Sequence, residues 1–165
     1  NPDDVGLIIT AANIYFELDN KEAFKLAMSE AIEKEPNNPV LYYNLGVVSG
    51  ELGEKEAAVS YYEKSIELDP SNENSYLNLV ALILDGEQEI VNEMNNLGTS
   101  RSDNLRYDEL KKVREDLYKQ CVPILKDLIA INNNVEAIRT LMNIYGTLGD
   151  NPGYVEMRNL LDQQE

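Results

Sequence analysis

The side chains that could do chemistry are few in kind. The sequence has no His and no Trp, a single Cys at position 121, ten Tyr, and 30 acidic residues against 14 basic ones. Without imidazole there is no Ser-His-Asp or Cys-His nucleophile pair, no imidazole metal ligand and no ordinary proton shuttle for neutral pH. A lone Cys121 forms neither an internal disulfide nor a Cys-cluster zinc site, and no basic cluster favours its thiolate. Paired carboxylates are plentiful, as at Asp3-Asp4, Glu54-Glu56 and Asp108-Glu109. Acid-base work would need a dry pocket around one of them, yet most fall at helix starts or on outer faces, where they serve the dipole and solubility. Neither a DxDxDG calcium loop nor a glycine-rich phosphate loop is present. The expectation is therefore no catalytic residue, no metal and no cofactor.

Charge narrows the partners. The 165 residues carry a net −16, which repels phosphate backbones and anionic membrane surfaces, so nucleic acid is not an expected partner. Apolar residues make up 43% and charged residues 27%, the balance of a foldable domain of ordinary length. No apolar stretch reaches the roughly 18 residues of a membrane helix, and no signal peptide opens the chain. Residues 1–72 alone hold a net −9, whereas 101–119 carries Arg101, Arg106, Lys111, Lys112, Arg114 and Lys119 among five acids. That stretch is the one non-acidic region, able to meet an acidic surface, including a second copy.

The elements that would position these residues repeat. Pro2, Pro36 and Pro70 recur every 34 residues, in the contexts NPDD, EPNN and DPSN. Such a period signals a stacked array of helix pairs. In residues 39–72, Tyr42, Leu45 and Gly46 fall on one face of a first helix, and Ala58 and Tyr62 on one face of a second, with Gly53 breaking between them and Asn38-Pro39 starting the pair. These residues, with Pro70, resemble the tetratricopeptide repeat: aromatic-x2-Leu-Gly-x2-Tyr, Ala-x3-aromatic, Pro, with Ser49 in place of the second Tyr. Repeats at 5–38 and 135–165 are weaker but in phase. In the first, Phe24 stands where Ala is expected and Ala23 comes one residue early, which predicts a one-residue shift in packing. In the last, Tyr154, Val155, Met157, Leu160 and Leu161 mark a capping helix in which Arg158 breaks the pattern.

The third repeat, 73–134, is abnormal. Tyr76, Leu79, Val80 and Ile83 are in register, but the small core residue due eight positions after Leu84 is best matched by Cys121, 37 positions on, leaving 29 additional residues. Ile90, Val91, Met94 and Leu97 continue the outgoing stripe, and Leu110, Val113, Leu117, Cys121, Ile124 and Leu128 form the return. Both helices are thus expected to be longer, making an antiparallel hairpin at about 87–118 that projects from the stack, with Pro123 kinking the return helix.

The expectation is an all-α fold of four helix pairs: 5–18 with 21–34, 39–52 with 55–68, a long pair 73–96 with 104–131, and 135–148 with 152–163. Residues 1–165 are read as a single array, Pro2 ends a preceding repeat, and Asn1 in place of Met points to a longer polypeptide with at least one more repeat upstream. Tyr15, Tyr42, Tyr62, Tyr76 and Tyr145 sit at packing positions.

The resemblance implies function as well. First helices of tetratricopeptide repeats line a concave face that holds a peptide or a partner protein. By repeat position the candidates are Asn13, Tyr43, Asn44, Val47, Asn78, Ala81, Arg139 and Asn143, where an Asn amide can donate to and accept from a peptide backbone at once. Relatives that grip carboxylate tails need bases along this face, but here the positions are Ile9, Asn13, Asn44, Leu77 and Ala81, so that subclass is not expected. Arg101, Arg106, Lys111, Lys112 and Arg114 are the candidate hairpin contacts. The expected role is a non-catalytic protein-interaction scaffold, with two alternatives: a self-assembly module forming a homodimer through the hairpin, and a ligand-binding envelope component. The pattern is similar to bacterial tetratricopeptide proteins, some of them exported, which favours the cell envelope over the cytoplasm.

Overall fold

The computed structural model describes residues 4–164; Pro2, on which the upstream phase partly rests, lies outside them. Nine helices and no strand occur among the described residues: α1 (Val5–Glu17), α2 (Lys21–Lys34), α3 (Pro39–Glu51), α4 (Lys55–Leu68), α5 (Glu73–Ile83), α6 (Glu87–Asn96), α7 (Arg101–Asn132), α8 (Val135–Leu148) and α9 (Asn151–Asp162). They form two compact units, dividing between Leu82 and Ile83.

In the first unit local sequence starts and stops each helix. The side chains of Asp4, Asn20 and Asn38 accept hydrogen bonds from the backbone N–H groups of Gly6, Ala23 and Val40, satisfying donors that a helix start leaves free. Pro39 stands at the first turn of α3, where its missing N–H costs nothing. The turn inside each pair needs a left-handed residue: Gly53 at φ 75° between α3 and α4, and, 34 residues earlier, Asp19 at φ 54° between α1 and α2.

The repeat is just as plain in the core. α2 buries Phe24, Met28 and Ala31; α4 buries Ala58, Tyr62 and Ser65, which are the same three positions one period later. Phe24 is thus accommodated in phase, and the expected one-residue shift in α2 does not occur. Phe24, Met28 and Ala31 pack with Ile8, Ala12, Leu41, Leu45 and Val48 in one continuous core. Each of the larger side chains contributes on the order of 2 kcal/mol by leaving water. α5 joins through Ser75, whose hydroxyl lies 2.9 Å from that of Ser65, itself a donor to the Pro39 carbonyl. Tyr15, expected to pack, is exposed instead; Tyr42 is half-buried, and its hydroxyl donates to the Pro36 carbonyl.

The second unit opens with a correction. The expected helix 73–96 is two helices, because Asp85-Gly86 turns the chain with Gly86 at φ 85°. α6 and α7 then form the antiparallel hairpin, joined by a turn in which the Ser100 and Asp103 side chains cap each other's backbone N–H groups. α7 runs unbroken through Pro123. Its buried face is Leu110, Tyr118, Cys121, Leu125, Leu128 and Ile129; Val113, expected in the seam, is exposed, and Tyr118 takes the inward place. The hairpin does not simply project, since Tyr107, Lys111, Arg114 and Tyr118 border a cavity of about 110 Å³ with Thr147 and Leu148 at the end of α8.

The last helix is also out of its expected register. α9 buries Gly153 and Met157, while Tyr154, Val155 and Arg158 face outward. Gly153 does the work expected of Tyr154: the Tyr145 ring sits so near that a Cβ there would stand 2.7 Å from it. Moving the stripe back by one residue removes the conflict at Arg158.

Candidate functional site

Four of the expected binding residues converge in the first unit. Asn13 of α1 and Tyr43, Asn44 and Val47 of α3 line a groove of about 250 Å³, together with Phe16, Phe24 and Val48. The floor is apolar and the lining holds no charged side chain. Phe16 and Phe24 meet at 5.6 Å between ring centroids with a 56° tilt, which closes one side of the groove with an aromatic pair. Among the described residues the side-chain amides of Asn13 and Asn44 have no hydrogen-bond partner, so their donors and acceptors face the groove unspent.

Asn78 and Tyr43 hold each other. The Asn78 amide donates to the Tyr43 hydroxyl at 3.3 Å, and the Tyr43 ring lies 6.1 Å from that of buried Tyr62. Burial pushes the Tyr62 hydroxyl above its ordinary pKa, so this aromatic pair stays neutral across the physiological range. Asn78 therefore sets the position of a groove wall more than it offers a free amide. Ala81, one turn further along α5, is exposed. Sequence reasoning passed over Phe16 and read Phe24 only as core, yet both present ring surface to the groove.

Arg139 and Asn143 belong to the second unit. Both are exposed, one turn apart on α8, and do not enter the groove of the first.

The hairpin bases are mostly engaged within the hairpin. Arg106 donates from Nε to Glu93 at 2.7 Å and from Nη1 to Glu109 at 3.3 Å. Hydrogen bonding from Arg106 holds the Glu93 carboxyl below its usual range. Glu87 accepts at one oxygen from both Arg114 Nε (2.6 Å) and the Tyr118 hydroxyl (2.7 Å). Burial, then the Glu87 carboxylate, raises the Tyr118 pKa. Lys111 and Lys119 sit near Glu115 and Asp116. Of the candidate contacts only Arg101 and Lys112 are exposed without an ion pair. Charge here clamps α6 to α7.

Cys121 is fully buried, and burial pushes its thiol up to about 11. No helix among the described residues is long and apolar enough to cross a membrane.

Helix pairs with a 34-residue period, small residues under aromatic rings and a groove on the first helices define a tetratricopeptide-type superhelical fold. Residues 40–72 match the family model of the tetratricopeptide repeat, so the chain carries that repeat within an all-α fold of the same kind. Solved structures agree on the fold. A protein from Bacteroides ovatus matches with a TM-score of 0.68 and 22% identity, covering 88% of this chain and 74% of that one. MamA matches at 0.62 and 14%, covering 99% and 79%. The first tetratricopeptide domain of Spaghetti (RPAP3), solved with the HSP90 peptide SRMEEVD, matches at 0.54 and 18%, covering 88% and 95%. No curated protein matches the chain in sequence.

Proposed function

We propose that this chain is a non-catalytic interaction scaffold that takes an extended peptide segment in the groove of its first unit. The observation that carries the reading is the pairing of two unspent Asn amides with an uncharged, aromatic-walled floor. The volume of about 250 Å³ suits one large apolar side chain, with Asn13 and Asn44 reading the backbone beside it. The Spaghetti domain, similar in fold, holds a peptide, which supports a peptide as the ligand class. That peptide is acidic, and here the chemistry differs: no Lys or Arg lines the groove, and residues 1–72 carry a net −9. The ligand is therefore a neutral or basic segment with a central aromatic or aliphatic anchor.

Screening the purified chain against a displayed library of ten-residue peptides, followed by calorimetry, tests this. Selected peptides should share an apolar anchor and lack clustered acids, and Asn44→Ala should weaken them at least tenfold. Arg101→Glu, far from the groove in function, should leave affinity unchanged. Peptides that are uniformly acidic, or binding insensitive to Asn44, would sink the reading.

A further inference from the structure

The face of α1 turned away from the groove shows what the repeat leaves open. Leu41, Leu45 and Val48 of α3 are at most 1% exposed because Phe24, Met28 and Ala31 of α2 pack in the same core, and Leu52 adds to that face. One period earlier, the same four positions of α1 are Leu7, Ala11, Ile14 and Leu18. Leu7, Ile14 and Leu18 are 57%, 51% and 71% exposed. Position for position, α1 presents the surface on which a second helix lies in the next repeat, without that helix.

Two further observations say what fits there. No charged residue occurs from Val5 to Phe16, although the chain as a whole is at −16, so the face is kept free of charge over its length. The phase of the sequence names the source. Pro36 and Pro70 each stand two residues after the end of a second helix, α2 at Lys34 and α4 at Leu68, and three before the next first helix. Pro2 has the same spacing to α1, which places a second helix immediately before it in the repeat order.

We propose that the uncharged face of α1 is the seat of a second helix from a further repeat of the same polypeptide, N-terminal to α1. The occupant has the chemistry of α2: apolar side chains at three positions spaced four and three residues apart, like Phe24, Met28 and Ala31, filling the space over Leu7, Ala11, Ile14 and Leu18. Such a helix extends the interface that α2 makes with α3 by one more step, and it leaves the peptide groove on the other side of α1 open.

Thiol labelling tests the proposal without touching the groove. Ile14→Cys is made in the chain of residues 1–165 and in the intact polypeptide, with Leu7→Cys as a second probe should one variant fold poorly. Asn13→Cys, one residue round the helix, is the exposed control, and buried Cys121 is the slow internal reference. Position 14 should label like an exposed thiol in residues 1–165 and at least tenfold slower in the intact polypeptide, with position 13 fast in both. Equal rates at position 14 in the two proteins overturn the proposal. So does protection that grows with concentration of residues 1–165 alone, which would assign the face to a second copy.

Discussion

Gly46 of α3 lies so close under the Tyr62 ring of α4 that a Cβ on it would stand 2.7 Å from two ring carbons. The ring is itself buried and backed by Tyr43, so it cannot swing aside. The two helices approach as they do because residue 46 has no side chain. Gly46→Ala should therefore destabilise the first unit by about 1–3 kcal/mol through overpacking, less the roughly 1 kcal/mol that Ala returns in helix propensity. Gly50→Ala, in the same helix, meets only Leu82 at 4.0 Å and should stabilise by up to about 1 kcal/mol. Thermal melts of the two variants should move in opposite directions; a shift of both the same way would refute the packing argument.

Asp19 offers a second repeat-based comparison. It holds the left-handed turn that Gly53 holds one period later, at φ 54° where an L side chain is strained. Its only noted contact is a 3.8 Å approach to Lys21, and it is well exposed. Asp19→Gly should raise stability by about 0.5–1 kcal/mol, since relief of the strain outweighs the added chain entropy. Denaturant midpoints of wild type and variant decide it, and a lower midpoint in the variant would count against it.

The first unit was legible in the sequence because each of its core positions appears twice, 34 residues apart: Phe24 with Ala58, Met28 with Tyr62, Ala31 with Ser65. The groove was half legible. Repeat position led to Asn13, Tyr43, Asn44 and Val47, but Phe16 follows no repeat rule and was invisible until α1 and α2 were seen together. The second unit was harder. The apolar stripe through Ile83, Leu84, Ile90 and Val91 hid the break at Asp85-Gly86, although that dipeptide is itself a turn signal. In α9 a bulky Tyr154 drew the stripe one residue too far, because a glycine does not look like a core residue until the ring of Tyr145 is found against it.

That ring contact gives a prediction of its own. Gly153→Ala should destabilise the α8–α9 pair by about 1–3 kcal/mol, whereas Tyr154→Ala, on the exposed side, should cost less than 1 kcal/mol. The reverse order would restore the register that the sequence suggested.

The hairpin clamp should fail at Glu87 before it fails elsewhere. One carboxylate oxygen accepts from both Arg114 and Tyr118, and Glu87→Ala leaves a partly buried guanidinium and a buried phenol without that acceptor. An unsatisfied group of this kind costs about 1–3 kcal/mol. Amide hydrogen exchange of α6 should quicken at least tenfold in Glu87→Ala, with the first unit unchanged. Acid weakens the hairpin's other clamp: the Glu93 carboxyl is held below its ordinary 4.5 by Arg106, so its contribution is present above that value and is lost as pH falls through the lowered one. Exchange in α6 unaffected by either change would show that the apolar seam alone holds the helices.

Cys121 joins burial to pH from the opposite side. Its thiol is pushed up to about 11 from an ordinary 9.0, and desolvation is the cause. Between those values the unfolded chain releases its thiol proton while the folded chain keeps it. The folded state then binds more protons, so stability falls as pH rises through this window and is not affected by this thiol below it. Cys121→Ala removes the titration and should flatten the slope between pH 9 and 11, whatever it does to stability at pH 7. Lysines titrate in both proteins and cancel in the comparison. The same burial makes native labelling by a thiol reagent slow and unfolding-limited, at least a hundredfold below the rate in denaturant. Rapid native labelling, or identical alkaline slopes, would mean that Cys121 does not face the interior, and with it the register of α7 from Leu110 to Ile129 would fall.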